Sequence, residues 1–200
     1  MNALLGQKLS IVTPKPQTTR HKVLGILSTA ESQIIFLDTP GIITPKYLLQ
    51  EVMMEYASSA IKDADVVLFM IDATKQQPDS ADSDASAFAK IKDLHKPAFL
   101  IINKVDVIAK PNLLPMIASY SKAFPFKEIF PISALRNDGT PGLIAAIVQH
   151  LPQHEPFYQL DIVSERNERF FVAEIIREKI FLATKEEVPY SATVDVVEFK

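Results

Sequence analysis

The chain has 200 residues, 48% hydrophobic and 22% charged, with 21 Lys and Arg against 24 Asp and Glu for a net charge of −3. That balance excludes a disordered or collagen-like chain and a surface basic throughout, so a nucleic-acid or membrane partner would have to meet a local patch. The absence of Cys excludes disulfides, thiolate catalysis and Cys-ligated zinc, and points to a reducing, cytoplasmic setting.

Residues 1–6 carry neither a basic flank nor a long apolar core, so no secretory signal is expected there. The longest apolar runs, such as 66–71, fall far short of the ~18 residues of a membrane span, and a soluble protein is expected. Residues 22–28 read as one strand and 33–37 as another ending at Asp38. Too few residues separate them for a helical crossover, so they are predicted to pair antiparallel at a sheet edge. Helical patterns over 48–62, 81–94, 112–123 and 142–151 then alternate with apolar runs at 66–71 into Asp72, 98–102 into Asn103 and 128–132 into Ser133. Runs that are apolar throughout predict strands covered on both faces, hence a three-layer α/β domain with a mostly parallel sheet and helices on both sides. Pro152 and Pro156 interrupt the pattern in a linker over 151–158. Beyond it Val172, Ile176, Ile180 and Ala183 keep helical spacing, with Glu174, Arg177 and Glu178 on other faces, and Ala192, Val194 and Val196 alternate as in a strand. One helix and one strand cannot bury a core alone, so a second domain over 159–200 is expected to be incomplete, after a first domain over 1–150.

In open parallel sheets ligands bind at the carboxyl ends of the strands, so the polar residues that end these runs are the candidates. Asp38-Thr39-Pro40-Gly41 places a carboxylate where it can hold Mg²⁺ through water, and a glycine whose amide can approach a γ-phosphate. The same residue types also make an ordinary strand-to-turn junction. Asn103-Lys104-Val105-Asp106 suits base recognition. The Asp106 carboxylate can accept two N–H groups from guanine, a donor pair adenine lacks; Asn103 can brace the loop and the Lys104 stem can lie along the ring. Ser133-Ala134-Leu135 adds small residues whose amides can reach a purine oxygen.

With these residues the chain resembles the translation-factor-like GTPases, and among them the Era family. D-x-P-G stands at Asp38 to Gly41, N-K-x-D at Asn103 to Asp106 and S-A-x at Ser133 to Leu135, while Gln17-Thr18-Thr19-Arg20-His21 is similar to the Era switch I segment. Residues 169–179, followed by Val188-Pro189-Tyr190-Ser191, resemble the start of the family's KH-type RNA-binding domain. The resemblance spans essentially the whole chain. It implies a P-loop-NTPase-like G domain followed by the first part of an α+β KH domain, GTP or GDP and Mg²⁺ as ligands, and hydrolysis of GTP in the parent protein. Thr19, with Thr18 as the alternative, would ligate Mg²⁺ and sense the γ-phosphate; Asp38 would hold the metal through water; the Gly41 amide would hold the γ-phosphate, with Thr39 and Pro40 as further nucleotide-binding residues. Asn103, Lys104, Asp106, Ser133 and Ala134 would bind the base. Ile42 occupies the position where Ras-like enzymes orient water with Gln, and an apolar side chain cannot do so. The implied partner is the small ribosomal subunit through its rRNA, with peripheral membrane association and a monomeric state as further expectations. A GTPase of tRNA modification or of the large subunit is the alternative within the class, against which residues 169–179 stand; a non-hydrolysing RNA-binding scaffold is the alternative outside it.

None of the five glycines is followed by Lys-Ser or Lys-Thr, so the phosphate-cradling G-x-x-x-x-G-K-[ST] is absent, and residues 159–200 hold no glycine with which to form the family's RNA-clamping G-x-x-G. The chain is therefore expected to be an internal fragment, deficient in nucleotide binding by itself. His150 and His154 are four apart, but Pro152 lies between them and zinc binding is not expected. Residues 79–84, rich in Asp and Ser, are expected to start a helix rather than to hold calcium. Met53 and Met54 are expected in the core or on an apolar face; Arg166, Arg169, Arg177 and Lys179 are candidates to touch RNA, but with Glu165, Glu168, Glu174 and Glu178 interleaved a solvated face is expected at least as strongly.

Overall fold

The computed structural model describes residues 1–75, 84–186 and 188–198. The chain divides into two compact units, Met1–Ala60 with Pro156–Lys200, and Ile61–Glu155.

In the first unit a short helix α1 (Asn2–Leu5) ends at Gly6 with φ 68. Strands β1 (Val23–Ser28) and β2 (Gln33–Asp38) pair antiparallel in the register Val23↔Asp38 to Ser28↔Gln33. The short turn leaves no other pairing, so the antiparallel expectation holds, but the two strands form a sheet of their own and not the edge of a larger one, because among the described residues no further strand hydrogen-bonds to them. Helix α2 (Leu48–Asp63) follows, with Met53 and Met54 buried at 2% and 8% exposure. The chain after the linker returns to the hairpin. Gln33 Nε2 donates to Tyr158 O at 2.9 Å, Tyr158 N to Gln33 Oε1 at 3.0 Å, and Ile26 N to Val163 O at 2.9 Å. Helix α6 (Glu168–Ala183) begins where the Asn167 side chain accepts from Phe170 N at 3.0 Å, a standard N-cap, and α7 (Val188–Ser191) is a single turn.

Two expectations fail here. Residues 192–198 form no strand, because alternation makes a strand only where a neighbouring strand takes the backbone groups; Ala192 N instead donates back to Val188 O at 3.1 Å. The buried face of α6 is also not the apolar one. Arg177, Glu178 and Phe181 are 3%, 4% and 0% exposed, whereas Ile176 is 43% exposed.

The second unit is a parallel sheet, β3 (Val67–Asp72), β4 (Ala98–Asn103) and β5 (Glu128–Ile132), with β4 in the centre. Register pairs Asp72 with Asn103 and Asn103 with Ile132, so the polar ends of β3 and β4 lie side by side, with Ser133 one residue beyond the end of β5. Phe99, Leu100, Ile101 and Ile102 are all 0% exposed, which is why β4 reads as an unbroken apolar run. Helices α3 (Ala85–Lys92), α4 (Leu113–Ala123) and α5 (Thr140–His150) complete the unit. Val67, Ile71, Phe88, Ile91, Leu100 and Phe124 share one core with Tyr120, whose hydroxyl donates to Asp84 Oδ2 at 2.9 Å. Asp84 thus stands at the start of α3 but spends its carboxylate on Tyr120 and not on the helix amides. Residues 79–83 of the predicted helix start lie outside the described residues. Gly139 precedes α5 with φ +76, and a Cβ there would sit 2.8 Å from Pro131 O, so glycine is required both by conformation and by space. His150 turns its Nδ1 toward Ala146 O at 3.0 Å and its ring edge-on to Phe99.

Candidate functional site

The strand ends of the second unit bring Asn103, Lys104, Asp106, Ser133 and Ala134 together. Asn103 Oδ1 accepts from Lys104 N at 2.8 Å and from Ala134 N at 3.0 Å, so one side chain staples the loop after β4 to the loop after β5. Lys104 has φ 68, and Val105–Val107 then forms a turn of 3-10 helix. A non-glycine residue held in the left-handed region costs about 1–2 kcal/mol and is characteristic of functional loops. Ser133 is 1% exposed and pairs with Asp138, Ser133 N donating to Asp138 O and Asp138 N to Ser133 O at 3.0 Å each. Asp106 is 9% exposed in its side chain and faces Arg136 Nε at 3.4 Å, an ion pair with an exposed guanidinium. Such a pair is weak and can yield to a better donor.

The sequence alone gave no role to Asp72 or Arg136. Asp72 Oδ2 accepts from Lys104 Nζ at 2.8 Å, and Oδ1 from Thr74 N at 3.0 Å and Oγ1 at 2.7 Å. Partial burial pushes the Asp72 carboxyl up, but the Lys104 and Thr74 hydrogen bonds outweigh it and hold it below the ordinary carboxylate range. Its signal was visible as a carboxylate ending a buried strand beside Asn103.

The first unit carries the other candidates. Asp38 ends β2, and its Oδ2 accepts from Ser10 Oγ at 2.5 Å. Ser10 is fixed in turn by Asn2, whose Oδ1 accepts from Ser10 N at 2.9 Å and whose Nδ2 donates to Ser10 O at 2.7 Å. Pro40 is fully buried, while Gly41 has no atom within 4 Å of where a Cβ would stand. Protein packing therefore does not require glycine there. Thr18 Oγ1 donates to Lys15 O at 2.8 Å and lies 2.6 Å from Thr13 Oγ1, so its hydroxyl is engaged within its own loop. Thr19 is half-buried, as is Ile42.

Residues 8–20 are held by α6, through Arg177 and Glu178, and by α7; these two side chains are buried, whereas Arg166, Arg169 and Lys179 are exposed, as a solvated face requires. Glu178 Oε1 accepts from Val12 N at 2.9 Å and Oε2 from Lys8 Nζ at 2.5 Å. Burial pushes the Glu178 carboxyl up, but these donors overcome it and set it below its ordinary value of 4.5. A carboxyl lowered in the folded state contributes stability above its unfolded pKa and loses it as the pH falls through the lower folded value. Acidification from pH 6 to below pH 4.5 is thus expected to loosen the segment around Val12. Amide hydrogen exchange across that range, referenced to β4, checks this; equal protection at both ends would remove Glu178 as the holding group.

Residues 1–104 match the family model described as 50S ribosome-binding GTPase. With a parallel sheet ending in N-K-x-D and a D-x-P-G after β2, the class is a GTPase domain. GTPase Era of Ruminiclostridium cellulolyticum is 41% identical over the whole chain, and that of Geotalea daltonii 42%; the chain spans 66% of the length of each. Among solved structures, Era in complex with MgGDPNP and nucleotides 1506–1542 of 16S ribosomal RNA superposes on 95% of the chain with a TM-score of 0.87 at 44% identity, and the chain covers 64% of it. A variant of Aquifex aeolicus Era bound to GDP·AlF4⁻ matches equally. The chain belongs to the Era family of GTPases.

Proposed function

We propose that the protein of which these residues form part binds and hydrolyses GTP and acts in assembly of the small ribosomal subunit through its rRNA. The observation that carries this reading is the stapled guanine-reading cluster, Asn103 with Asp106, Lys104 and Ala134, on a chain whose Era relative holds 16S rRNA. The family model's description names the 50S subunit, but it covers about half the chain, whereas the likeness to Era covers all of it. On this reading residues 1–150 are the G domain and 159–200 begin the RNA-binding domain, in a cytoplasmic protein.

Each side chain then has a defined task. Asp106 accepts from the base, the Ala134 amide is held by Asn103 where it can donate to a purine oxygen, and Lys104 is pinned by Asp72. Displacement of the Arg136 guanidinium accompanies entry of the base. In the first unit Asp38 and Thr19 offer oxygen donors alone, the chemistry Mg²⁺ takes, and Gly41, with no neighbour within 4 Å of its Cβ position, is the residue whose amide would meet a γ-phosphate. Mg²⁺, when bound, neutralises charge developing on the phosphate oxygens. Thr19 rather than Thr18 is the metal-sensing threonine, because Thr18 has committed its hydroxyl to Lys15 and Thr13. Ile42 cannot orient the attacking water, so hydrolysis is slow unless another group supplies that function.

The 200 residues contain no G-x-x-x-x-G-K-[ST]. Loss of one preorganised donor in an anion site costs about 3–4 kcal/mol, and this motif supplies several. Calorimetry is expected to give GTP binding weaker than micromolar for these residues, and micromolar or tighter when a G-x-x-x-x-G-K-[ST] segment precedes them. Failure of the extended chain to bind GTP would sink the GTPase reading; tight binding by the 200 residues would sink only the deficiency.

A further inference from the structure

Resting on the reading of Asp38 as the carboxylate that holds Mg²⁺ through water, we infer that Ser10 is a positioning residue for that carboxylate and that Asn2 sets Ser10. A relay from Asn2 through Ser10 to Asp38 thereby fixes which carboxylate oxygen meets the water on the metal.

The relay begins on α1. Asn2 Oδ1 accepts from Leu9 N at 3.0 Å and from Ser10 N at 2.9 Å, and its Nδ2 donates to Ser10 O at 2.7 Å. Most of the hydrogen-bonding capacity of one amide side chain is thus spent on two consecutive residues. Neither Leu9 nor Ser10 lies in a helix or strand, so Asn2 stands in for the partners that a ladder would supply to their backbone. Gly6, in the left-handed region with φ 68, turns the chain after α1 so that residues 9 and 10 come back to Asn2. Ser10 Oγ then donates to Asp38 Oδ2 at 2.5 Å, the length of an O–H···O⁻ bond strengthened by the acceptor's charge.

Both ends of the relay sit on one frame. Helix α1 lies so close to β1 that a Cβ on Gly25 would stand 2.6 Å from Leu5 Cδ1 and 2.9 Å from Met1 Sδ. Strand β1 is in turn registered to β2 with Val23 opposite Asp38. Asn2 therefore cannot drift from Asp38 without breaking either the packing of α1 or the hairpin.

The effect on the carboxylate follows from its last torsion. The χ2 angle of an aspartate is broad and nearly two-fold, so an unheld carboxylate offers either oxygen in many orientations. With Oδ2 taken by Ser10, Oδ1 has no donor among the described residues and is left for a water on the metal. A hydroxyl suits this task because it orients the carboxylate without bringing a positive charge that would repel the cation, as Lys or Arg would.

The test uses the full-length protein, with a G-x-x-x-x-G-K-[ST] segment before these residues, loaded with a non-hydrolysable GTP analogue and titrated with Mn²⁺. The electron paramagnetic resonance signal of the free ion reads metal binding without turnover, and Mn²⁺ takes the same oxygen ligands as Mg²⁺. Ser10→Ala should weaken Mn²⁺ binding about tenfold, the scale on which partners of a metal's ligands act, and leave affinity for the analogue in EDTA unchanged. Ser10→Thr, which keeps the hydroxyl, should restore Mn²⁺ binding to within about twofold of the unaltered protein. Ser10→Cys, similar in size but a weak donor, should show the same loss as alanine and serves if the alanine variant does not fold. Unchanged Mn²⁺ affinity without the hydroxyl, an equal loss of analogue affinity with and without metal, or a threonine variant as weak as alanine overturns the relay. Asp38→Asn keeps the two failures apart. If it weakens Mn²⁺ while the Ser10 variants do not, the relay alone falls; if it binds Mn²⁺ as the unaltered protein does, the reading of Asp38 as the metal's carboxylate falls with it.

Discussion

Asp106→Asn, in a chain preceded by a G-x-x-x-x-G-K-[ST] segment, is expected to weaken GTP binding by about a hundred-fold and to make a xanthosine nucleotide the better ligand. Hydrogen bonds to a charged group contribute about 1.5–3 kcal/mol each, and a group left unpaired in a buried site adds its desolvation cost. On the proposed reading the carboxylate at Asp106 accepts two N–H groups from guanine. An amide offers one acceptor and one donor, and xanthine presents a carbonyl where guanine has its amino group, so the amide donor finds a partner. The low exposure of the Asp106 side chain makes the mismatch expensive, since water cannot easily step in. Calorimetry with both nucleotides decides the matter. An unchanged preference for guanine would leave Asp106 as the ion-pair partner of Arg136 and nothing more.

Asn103→Ala is expected to cost the second unit about 2–3 kcal/mol, because one substitution removes the acceptor from two backbone amides, at Lys104 and Ala134. The loss is concentrated where the chain is already strained: Lys104 stays in the left-handed region only while its neighbours fix it. Asn103→Asp keeps an oxygen in the same place and is expected to retain most of the stability. Denaturant unfolding of the two variants separates the brace from any contact with the base, since equal destabilisation by both would mean that the acceptor bonds are not what holds the loops.

The sequence made the secondary structure of the second unit readable because β4 is buried on both faces and its flanking helices keep a clean period. Residues 98–102 read as a strand covered on both faces, and β4 is the central one. The candidate residues were legible for a related reason: in a parallel sheet the polar residue ending each apolar run is placed at the ligand edge by the backbone alone, and the register puts Asp72, Asn103 and Ile132 in one row. What the sequence hid depends on partners distant along the chain. Arg177 and Glu178 look solvated because neighbouring Glu residues offer local pairs; their burial follows from Thr18 and Val12, more than 150 positions away. Arg136 is invisible for the same reason, since an exposed arginine after a strand signals nothing until its carboxylate is seen. The alternating stretch at 192–196 misled because periodicity states what a strand would bury and is silent on whether an edge is there to receive it.

The hydrogen bond from Ile26 N to Val163 O, with Ser164 Oγ donating to Leu24 O at 2.6 Å, has a bearing on handling and evolution alike. The hairpin β1–β2 has only two strands, and the outer side of β1 would otherwise present bare amides and carbonyls to any passing chain. Residues 163 and 164 occupy that side with irregular backbone, which blocks a third strand without offering a new edge of its own. Solubility of the hairpin is thereby tied to residues beyond the linker. A shortened chain that stopped at the linker would keep every side chain proposed to meet nucleotide and still expose a surface on which copies could stack.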